Sequence, residues 1–579
     1  MVKLSYIQRT ISLAILLIVC EQIWAQPAPY PAYSSVAGVS AEIQATMAAR
    51  WLHLTANHFN DIAIPKSFDA SNYWNYLVTY NSDYQTYRQL YDNGGCKVLA
   101  DHTNDATIER AMQYQGLDIY DGAVWQIALS LAAIKESSLQ YMQDVEGYQN
   151  FLLHGLKDGF LTYHAYSDYT YNGKLMSEEN AYLFKFISPS WANNYDAVND
   201  CNMQWPEWSA VTGEEAWAVF IGPVQSIYVL NDGAHNPDWS TASQAADYIQ
   251  LGKNALAAIS AMQAPSGGVY RNVALPEQSQ NLDISLENNF SLYAGLSMLE
   301  QALKARDNHY HAQLKVLKLG YQKSMITKKI QLQRTLNSDE DDIQTINKIK
   351  KGMVQFFSGQ GGVDVFDSKN QYFYASVNNI TPDTKNFAVD VQTWGATVIA
   401  SIKKDQNDPN DPDLQTAMIQ AYGKDVIFNM LQATIVQSGY YDSNQNLLGV
   451  GYTAQKPTDD FYELSGEWTF GAINAAIVLA DYYQNDSDKS VILISQAKKM
   501  LDGVAKEASN LQGSADGSTS RVSYLYANKR IFIPFGWFSN KVPATASTAW
   551  SLMVNRCFNP LELGGGHYQA ICQQLKLGY

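Results

Sequence analysis

The stretch SGEWTFGAINAAIVLADYY, residues 465 to 483, combines two features that conflict in an ordinary helix. After Trp468 it is apolar on almost every helical face, and a helix that is apolar all round is buried on all sides. It nevertheless opens with Glu467, and an unpaired carboxylate in a protein interior is costly. We therefore expect this helix to begin in the interior or at the floor of a cavity.

Five more segments share this character. Each opens with polar or acidic residues, usually has an aromatic residue near its start, and continues as a mostly apolar helix. They are LDIYDGAVWQIALSLAAI (117–134), VTGEEAWAVFIGPVQSIYVL (211–230), DISLENNFSLYAGLSMLEQAL (283–303), FAVDVQTWGATVIASI (387–402) and ATASTAWSLMVNRCFNPL (544–561).

Between these segments lie helices with only one apolar face. Examples are TASQAADYIQLGKNALAAISAM (241–262), DLQTAMIQAYGKDVIFNMLQA (413–433) and KSVILISQAKKMLDGVAKEA (489–508). One-sided amphipathicity is typical of a helix that packs on a core and faces water. The alternation predicts an all-α ring of six inner and six outer helices, an (α/α)6 toroid. Parallel inner helices would then bring their acidic starts and positive dipole ends to one bowl.

This pattern, over residues 40 to 565, resembles the six-hairpin glycosidase-like superfamily, whose members include bacterial glycoside hydrolases and some polysaccharide lyases. The resemblance lies in the architecture and in the style of the helix starts. It implies a single toroid domain over residues 26–579 that acts on a glycan.

The loops before the later inner helices are long, and several read as β-hairpins on the substrate face. Turn sequences such as DSKN (367–370) and DSNQN (442–446) stand between aromatic residues. The Lys-rich stretch near 305–350 is expected to form a helical insertion. The acidic turn DQNDPNDPD (405–413) lacks the glycine and the terminal glutamate of a standard calcium loop, so we interpret it as a solvated turn.

The N-terminal residues and the net charge limit the possible classes of function. Lys3 and Arg9 precede the apolar run ISLAILLIVC, and Ala25 is a plausible cleavage point, which predicts a signal peptide over residues 1–25 and a secreted or periplasmic protein. No other segment has the length of a membrane span. The net charge of -16 argues against a nucleic-acid partner. We expect a monomer.

Cysteine and histidine spacing predicts no metal site and no cofactor. Cys20 falls in the signal peptide, and the remaining four cysteines, Cys96, Cys201, Cys557 and Cys572, allow three disulfide pairings. Cys557 and Cys572 would close a short loop. Buried free thiols are an equally good interpretation. The chain contains neither HExxH nor CxxC.

Carboxylates at the inner-helix starts are the candidate catalytic groups. Glycoside hydrolysis uses two, one as acid and one as base or nucleophile. Neighbouring packed helices lie ~8–10 Å apart, which suits the ~6.5–9.5 Å separation of an inverting pair. Such neighbours are Glu287 with Asp390, or Asp390 with Glu467. Asp390 suits the base, and Glu467 beside Trp468 or Glu287 near Phe290 suits the acid. Asp121 is a fourth candidate, although any of them could instead be a helix-capping residue.

Aromatic and amide side chains are the candidate sugar-binding groups. Trp394 and Trp468 lie on inner helices, where core packing is the alternative interpretation. Trp537 and Tyr462 lie on loops, and Asn288 stands next to Glu287. Arg530 and Lys541 would be the nearby cations for an anionic substrate.

These observations predict a secreted glycoside hydrolase, inverting and without a cofactor, that acts on an oligo- or polysaccharide. One alternative is a polysaccharide lyase, with His102 and Asn288 as candidate groups. The other is a secreted glycan-binding protein without activity, because a fold does not fix a function.

Overall fold

The computed structural model describes residues 33–59, 62–69, 116–157, 170–171, 174–175, 186–187, 211–231, 243–271, 283–317, 323–378, 380–459, 461–514, 519–529, 531–532 and 538–578. The predicted signal peptide, His102, Trp537, Arg530, Cys96 and Cys201 lie outside these residues. Within them no helix combines the length and the apolar character needed to cross a bilayer.

Six inner helices form the centre of the molecule. They are α2 (Ile119–Glu136), α4 with its continuation (Thr212–Glu215, a π-helical segment Ala216–Ile221, and α5, Gly222–Leu230), α7 (Leu286–Leu317), α9 (Val389–Ser401), α12 (Gly466–Tyr482) and α14 (Thr545–Asn555). Each predicted buried segment is therefore a helix, and apart from the outer end of α7 these helices are buried almost throughout.

The outer helices alternate with the inner ones along the chain. They are α1 (Ala41–Thr55), α3 (Leu139–Lys157), α6 (Ser243–Ala261), α8 (Lys323–Phe357), the pair α10 (Leu414–Tyr422) and α11 (Val426–Ser438), and α13 (Ser487–Glu507). A 3₁₀ turn (Leu563–Gly565) and α15 (Gln569–Gln574) follow the last inner helix.

The inner helices close into a ring. In chain order each packs against the next, and α14 returns to pack against α2. The helix α1, from the start of the described chain, packs against both α14 and α2 and covers this seam from outside. The predicted (α/α)6 toroid is confirmed by this closure.

All the strands in the described parts of the chain are short and antiparallel. The pairs are β1 (Asn57–Phe59) with β2 (Ile62–Ile64), β3 (Leu117–Asp118) with β6 (Phe186–Ile187), β4 (Thr170–Tyr171) with β5 (Lys174–Leu175), β8 (Phe366–Asp367) with β9 (Tyr372–Phe373), β12 (Gly439–Tyr441) with β13 (Leu447–Val450), and β16 (Ile531–Phe532) with β17 (Phe538–Ser539). Two three-stranded sheets are β7 (Asp283–Ser285), β10 (Ser376–Asn378) and β11 (Thr381–Pro382), and β14 (Ser509–Gln512), β15 (Arg521–Leu525) and β18 (Pro543–Ala544).

These strands position the starts of the inner helices. The strands β3, β7 and β18 end directly before α2, α7 and α14. The predicted hairpins around DSKN and DSNQN are β8–β9 and β12–β13. In both turns an aspartate side chain, Asp367 or Asp442, accepts backbone N–H bonds and holds the turn. Hairpins and strand ends therefore surround one face of the ring.

The third hairpin of helices extends beyond the ring. The Lys-rich stretch near 305–350 belongs to the outer part of α7 and to α8, which pack on each other through Leu314, Leu332 and Leu336. The acidic turn that follows α9 receives the ammonium group of Lys304, which lies 3.0 Å from Asp405 and 2.9 Å from Asp408. A protein cation therefore neutralises part of this turn.

Candidate active site

A bowl opens at the converging starts of the inner helices. Its lining includes carboxylates from five of the six inner-helix starts: Asp118, Asp121, Glu214, Glu287, Asp390 and Glu467. Its aromatic lining is Phe68, Tyr120, Trp217, Trp394, Tyr452, Trp468 and Tyr526. The helix start SGEW thus lies at a cavity: Ser465 caps α12 by accepting a hydrogen bond from the Trp468 amide at 3.3 Å, and Glu467 lines the bowl.

Four aromatic rings from four inner helices pack together in this part of the ring. The ring centroid of Trp217 lies 5.1 Å from Tyr120, 5.3 Å from Trp394 and 6.0 Å from Trp550. Trp394 and Trp550 stack at 5.9 Å. Contacts between large flat side chains fix their orientation, so the groups hydrogen-bonded to them are held rigidly.

Two of the carboxylates are held by similar relays. The indole N–H of Trp217 donates to Ser291 Oγ at 3.1 Å, and that hydroxyl donates to Glu287 Oε1 at 2.9 Å. The indole N–H of Trp550 donates to the Tyr120 hydroxyl at 2.7 Å, and that hydroxyl donates to Glu467 Oε1 at 2.6 Å. In each relay a buried indole orients a hydroxyl, which orients a carboxylate.

Asn288 completes the surroundings of Glu287. Its Nδ2 donates to Glu287 Oε2, and its Oδ1 is buried without a hydrogen-bond partner among the described residues. The side chain occupies space that only a glycine leaves open, because a Cβ on Gly213 would lie 2.0 Å from Asn288 Nδ2. Gly213 in the start of α4 is therefore part of the site.

Asp390 is held by the backbone. Its Oδ1 accepts a hydrogen bond from the Val391 amide at 2.7 Å. Burial raises the pKa of Asp390 to about 6, while hydrogen bonds from backbone amides act in the opposite direction. This carboxylate is the one whose hydrogen bonds favour the ionised form most directly.

The pKa values of Glu287 and Glu467 are raised more than that of Asp390. Burial, followed by the negative charges of Asp390 and Glu214, raises the pKa of Glu287 to about 8. Burial, followed by the negative charge of Asp121, raises the pKa of Glu467 well above its usual range. Like charges that share a desolvated cavity cannot all ionise at neutral pH, so the bowl holds both acidic and basic groups.

The other predicted site residues are placed as follows. Asp121, Trp394 and Trp468 line the bowl beside Glu467, and Asn288 lines its part next to Glu287. Tyr462 is not among the bowl residues: its hydroxyl bonds to the backbone of Tyr441, and its ring stacks on Tyr440. Phe290, expected to desolvate Glu287, instead packs in the core against Phe357.

Sequence reasoning missed Tyr120, Trp217 and Arg271. Tyr120 and Trp217 stand at inner-helix starts, next to or near candidate acids, but only the folded ring brings Tyr120 to Glu467, 347 positions away. Arg271, a cation at the bowl, lies 3.7 Å from Asp283. Lys541, one of the two cations predicted for an anionic substrate, lies outside the bowl, 6.0 Å from the ring of Tyr33.

Solved structures with similar folds are known at very low sequence identity. An unsaturated glucuronyl hydrolase from Bacillus sp. GL1 is 8% identical, covering 90% of this chain and 96% of that one, with a TM-score of 0.48. A cellobiose 2-epimerase from Bacillus thermoamylovorans B4167 is 9% identical, covering 82% and 99%, with a TM-score of 0.43. An α-mannanase from Bacteroides thetaiotaomicron is 11% identical, covering 85% and 97%, with a TM-score of 0.37.

The fold is a six-hairpin toroid. The resemblance to the six-hairpin glycosidase-like superfamily holds at the level of fold, as the closed helical ring itself demonstrates. No protein-family profile matches the chain, and no curated protein matches it.

Proposed function

We propose that the protein is a carbohydrate-acting enzyme, and specifically a glycoside hydrolase that works by carboxylate general acid/base catalysis. The observation that carries this proposal is the convergence of Glu287, Asp390 and Glu467, from three consecutive inner helices, on one bowl lined with aromatic rings. Aromatic faces suit the apolar faces of sugar rings, and paired carboxylates with separated pKa values suit glycosidic bond cleavage.

In the proposed mechanism Glu287 is the general acid and Asp390 is the general base. A pKa of about 8 keeps Glu287 protonated at neutral pH, so that it can protonate the departing glycosidic oxygen. Rotation of the Asn288 amide would place the partnerless Oδ1 towards Glu287, where it can accept a hydrogen bond from the protonated carboxyl group. Asp390, with a pKa of about 6, is ionised and can activate water.

The neighbouring positions of α7 and α9 favour an inverting reaction. Packed helices lie ~8–10 Å apart, which leaves room for a water molecule between the two carboxyl groups, as inversion requires. Glu467, held by Tyr120, lies on the next inner helix and would bind a sugar hydroxyl or position the water. The acidic bowl favours a neutral glycan, since Arg271, a cation at the bowl, has Asp283 beside it.

The test is turnover of the purified protein on a panel of neutral polysaccharides. We expect new reducing ends without new absorbance at 235 nm. Glu287→Gln and Asp390→Asn should each lower kcat by roughly 10²–10⁴-fold while glycan binding is retained. Glu340→Gln, at an exposed glutamate on α8, is the matched control and should leave turnover unchanged.

Two other results would indicate a different function. New absorbance at 235 nm would identify a lyase. Binding without turnover in the wild-type protein would identify a non-catalytic glycan-binding protein. The assignment of Glu287 as the general acid is tested separately with activated aryl glycosides, whose leaving group needs no protonation. Glu287→Gln should keep most of its activity on these substrates. If Glu467→Gln does so instead, the acid is Glu467.

A further inference from the structure

Three potential metal ligands meet on the outside of the ring, away from the bowl. His53 lies near the end of α1, His58 lies in β1, and Asp144 lies in α3. His53 Nδ1 contacts Asp144 Oδ2 at 2.5 Å, and His58 Nε2 contacts Asp144 Oδ1 at 3.0 Å. One ligand atom from each of the three residues lies within 4.8 Å of the others. None of the three lines the bowl.

The cluster is rigid on one side and accessible on the other. Asp144 is 4% exposed and His53 is 9% exposed, whereas the His58 side chain is 43% exposed. The ring centroids of His53 and His58 lie 5.1 Å apart with an angle of 61° between the ring planes, and the ring of His53 also lies 5.6 Å from that of Tyr141. A dissolved ion can therefore reach the cluster past His58 without opening the core.

The charge of Asp144 requires compensation. Among the described residues, its ion-pair partners are the two histidines, and neither lysine nor arginine lies within 4.0 Å of its carboxylate. Each imidazole contacts one oxygen of the buried carboxylate, so the three side chains bring nitrogen and oxygen atoms that can ligate a metal close together. A divalent cation held between the three groups would offset the negative charge of a buried carboxylate.

We propose that His53, His58 and Asp144 form a binding site for a divalent transition-metal ion, and that this ion is Zn²⁺. Two imidazole nitrogens and a carboxylate oxygen are common zinc ligands, with a water in the fourth position. Bonds of ~2.0–2.1 Å place tetrahedral ligand atoms on the order of 3.4 Å apart, a spacing that the present atoms reach by small side-chain rotations. Calcium and magnesium prefer sites made of oxygen atoms.

The ion would tie together elements at the seam of the ring. The helix α1 covers the junction of the first and last inner helices, and α3 packs on the first inner helix. A metal bound by α1, β1 and α3 would therefore stabilise ring closure. Because the cluster is separate from the bowl, this inference does not depend on the proposed hydrolase activity.

The test measures Zn²⁺ binding to the full protein, which is purified without a histidine tag and freed of bound metal with a chelator. We expect isothermal titration with ZnCl₂ to give one tight equivalent per chain and the melting temperature to rise when Zn²⁺ is added. His58→Ala should weaken binding by more than about 100-fold, because the loss of even an outer-shell partner costs roughly 10–100-fold. It should also abolish the thermal shift.

The exposed position of His58 makes this variant informative, since its removal leaves the buried pair of His53 and Asp144 intact. His311→Ala, which removes another exposed histidine, on α7, is the matched control and should bind Zn²⁺ like the wild type. Absence of a stoichiometric zinc site in the wild-type protein would overturn the proposal. So would a site whose affinity His58→Ala leaves unchanged.

Discussion

Glu287, Asp390 and Glu467 carry the same functional group but differ in what donates to them. Glu287 and Glu467 accept hydrogen bonds from hydroxyls that buried indoles orient, whereas Asp390 accepts from a backbone amide. Backbone donors at a helix start favour the ionised carboxylate, and desolvation among like charges favours the protonated one. The division between base and acid follows from these local differences.

The pH dependence of turnover should be bell-shaped. Activity should rise as pH passes through about 6, where Asp390 ionises, and should fall as pH passes through about 8, where Glu287 loses its proton. With an aryl glycoside as substrate, Glu287→Gln should lose the alkaline limb and keep the acidic one. Profiles of kcat against pH for both proteins check this, and an unchanged alkaline limb in the variant would assign it to another group.

Tyr120 is expected to be a positioning residue for Glu467. The hydrogen bond from its hydroxyl lowers the pKa of the Glu467 carboxyl, so Tyr120→Phe should raise that pKa. Any limb of the pH profile that reports the ionisation of Glu467 should then move to higher pH. We expect kcat to fall roughly 10-fold, as for the loss of about 1.4 kcal/mol of stabilisation, with little change in KM. The pH profile of kcat is the measurement.

Tyr148→Phe is the matched control for Tyr120→Phe. Tyr148 is a fully buried phenol on α3, outside the bowl, and its hydroxyl has no hydrogen-bond partner among the described residues. Its loss should leave the profile unchanged. Equal effects of the two variants would mean that Tyr120 acts on stability alone.

The sequence predicted which carboxylates would lie together in the bowl, but it did not predict the side chains that hydrogen-bond to them. The acids follow a local rule, because each stands in the first turn of an apolar helix. Tyr120, Ser291 and Trp550 act through contacts between distant parts of the chain. Trp550 and Tyr120, for example, are 430 positions apart. The cluster of His53, His58 and Asp144 was missed for the same reason, since motif spacing detects ligands only on neighbouring turns.

Among the secondary-structure elements, the second inner helix departs most from regular geometry. Its π-helical segment Ala216–Ile221 separates α4 from α5, and such segments are frequent at functional sites. It carries Trp217 at the centre of the aromatic cluster. Gly222 follows directly and lies against α2: a Cβ there would be 2.8 Å from Ala123 Cβ and 3.0 Å from Ala123 Cα.

We therefore expect Gly222→Ala to destabilise the protein by about 1–3 kcal/mol, because it pushes two backbones apart in a packed core. Gly471→Ala is the control. It is also at a contact between inner helices, but its Cβ would have only one close neighbour, Trp394 Nε1 at 3.0 Å. Urea denaturation should show a smaller loss for Gly471→Ala, and the reverse order would contradict this packing argument.

The starts of the inner helices were predictable because burial on all faces requires a continuous run of apolar residues after each start. Observed starts fall within three residues of the predicted ones, as with Val389 against Phe387. The π-helical segment was not predictable, because a uniformly apolar stretch gives no periodicity from which to detect an inserted residue. The extension of α7 to Leu317 was missed as part of the inner helix because its outer half is polar.

For the molecule as a whole, the C-terminal segment is fastened by a covalent link. Cys557, just after α14, is bonded to Cys572 in α15. This is one of the three pairings that the sequence left open. The link holds the segment that packs beside α12 and near the start of α1.

The double variant Cys557→Ser, Cys572→Ser should lose about 2–3 kcal/mol of unfolding free energy, as expected for a closed loop of about 15 residues. Urea denaturation measures it. A reducing agent should destabilise the wild-type protein by about 2–3 kcal/mol more than it destabilises the double variant. A wild-type protein that is insensitive to reduction would show that the link contributes little.

The seam of the ring also has a consequence for biosynthesis. Hydrogen bonds join Tyr524 to Gln44 and Thr545 to Lys66, across 480 and 479 positions of the chain. Until the final segment of the chain has emerged, α1 and α2 have no α14 to meet, and the part already present can form at most an open crescent with apolar flanks. Such late, long-distance pairing slows folding. A chaperone that shields those flanks should therefore raise the yield of active protein more than one that acts after release.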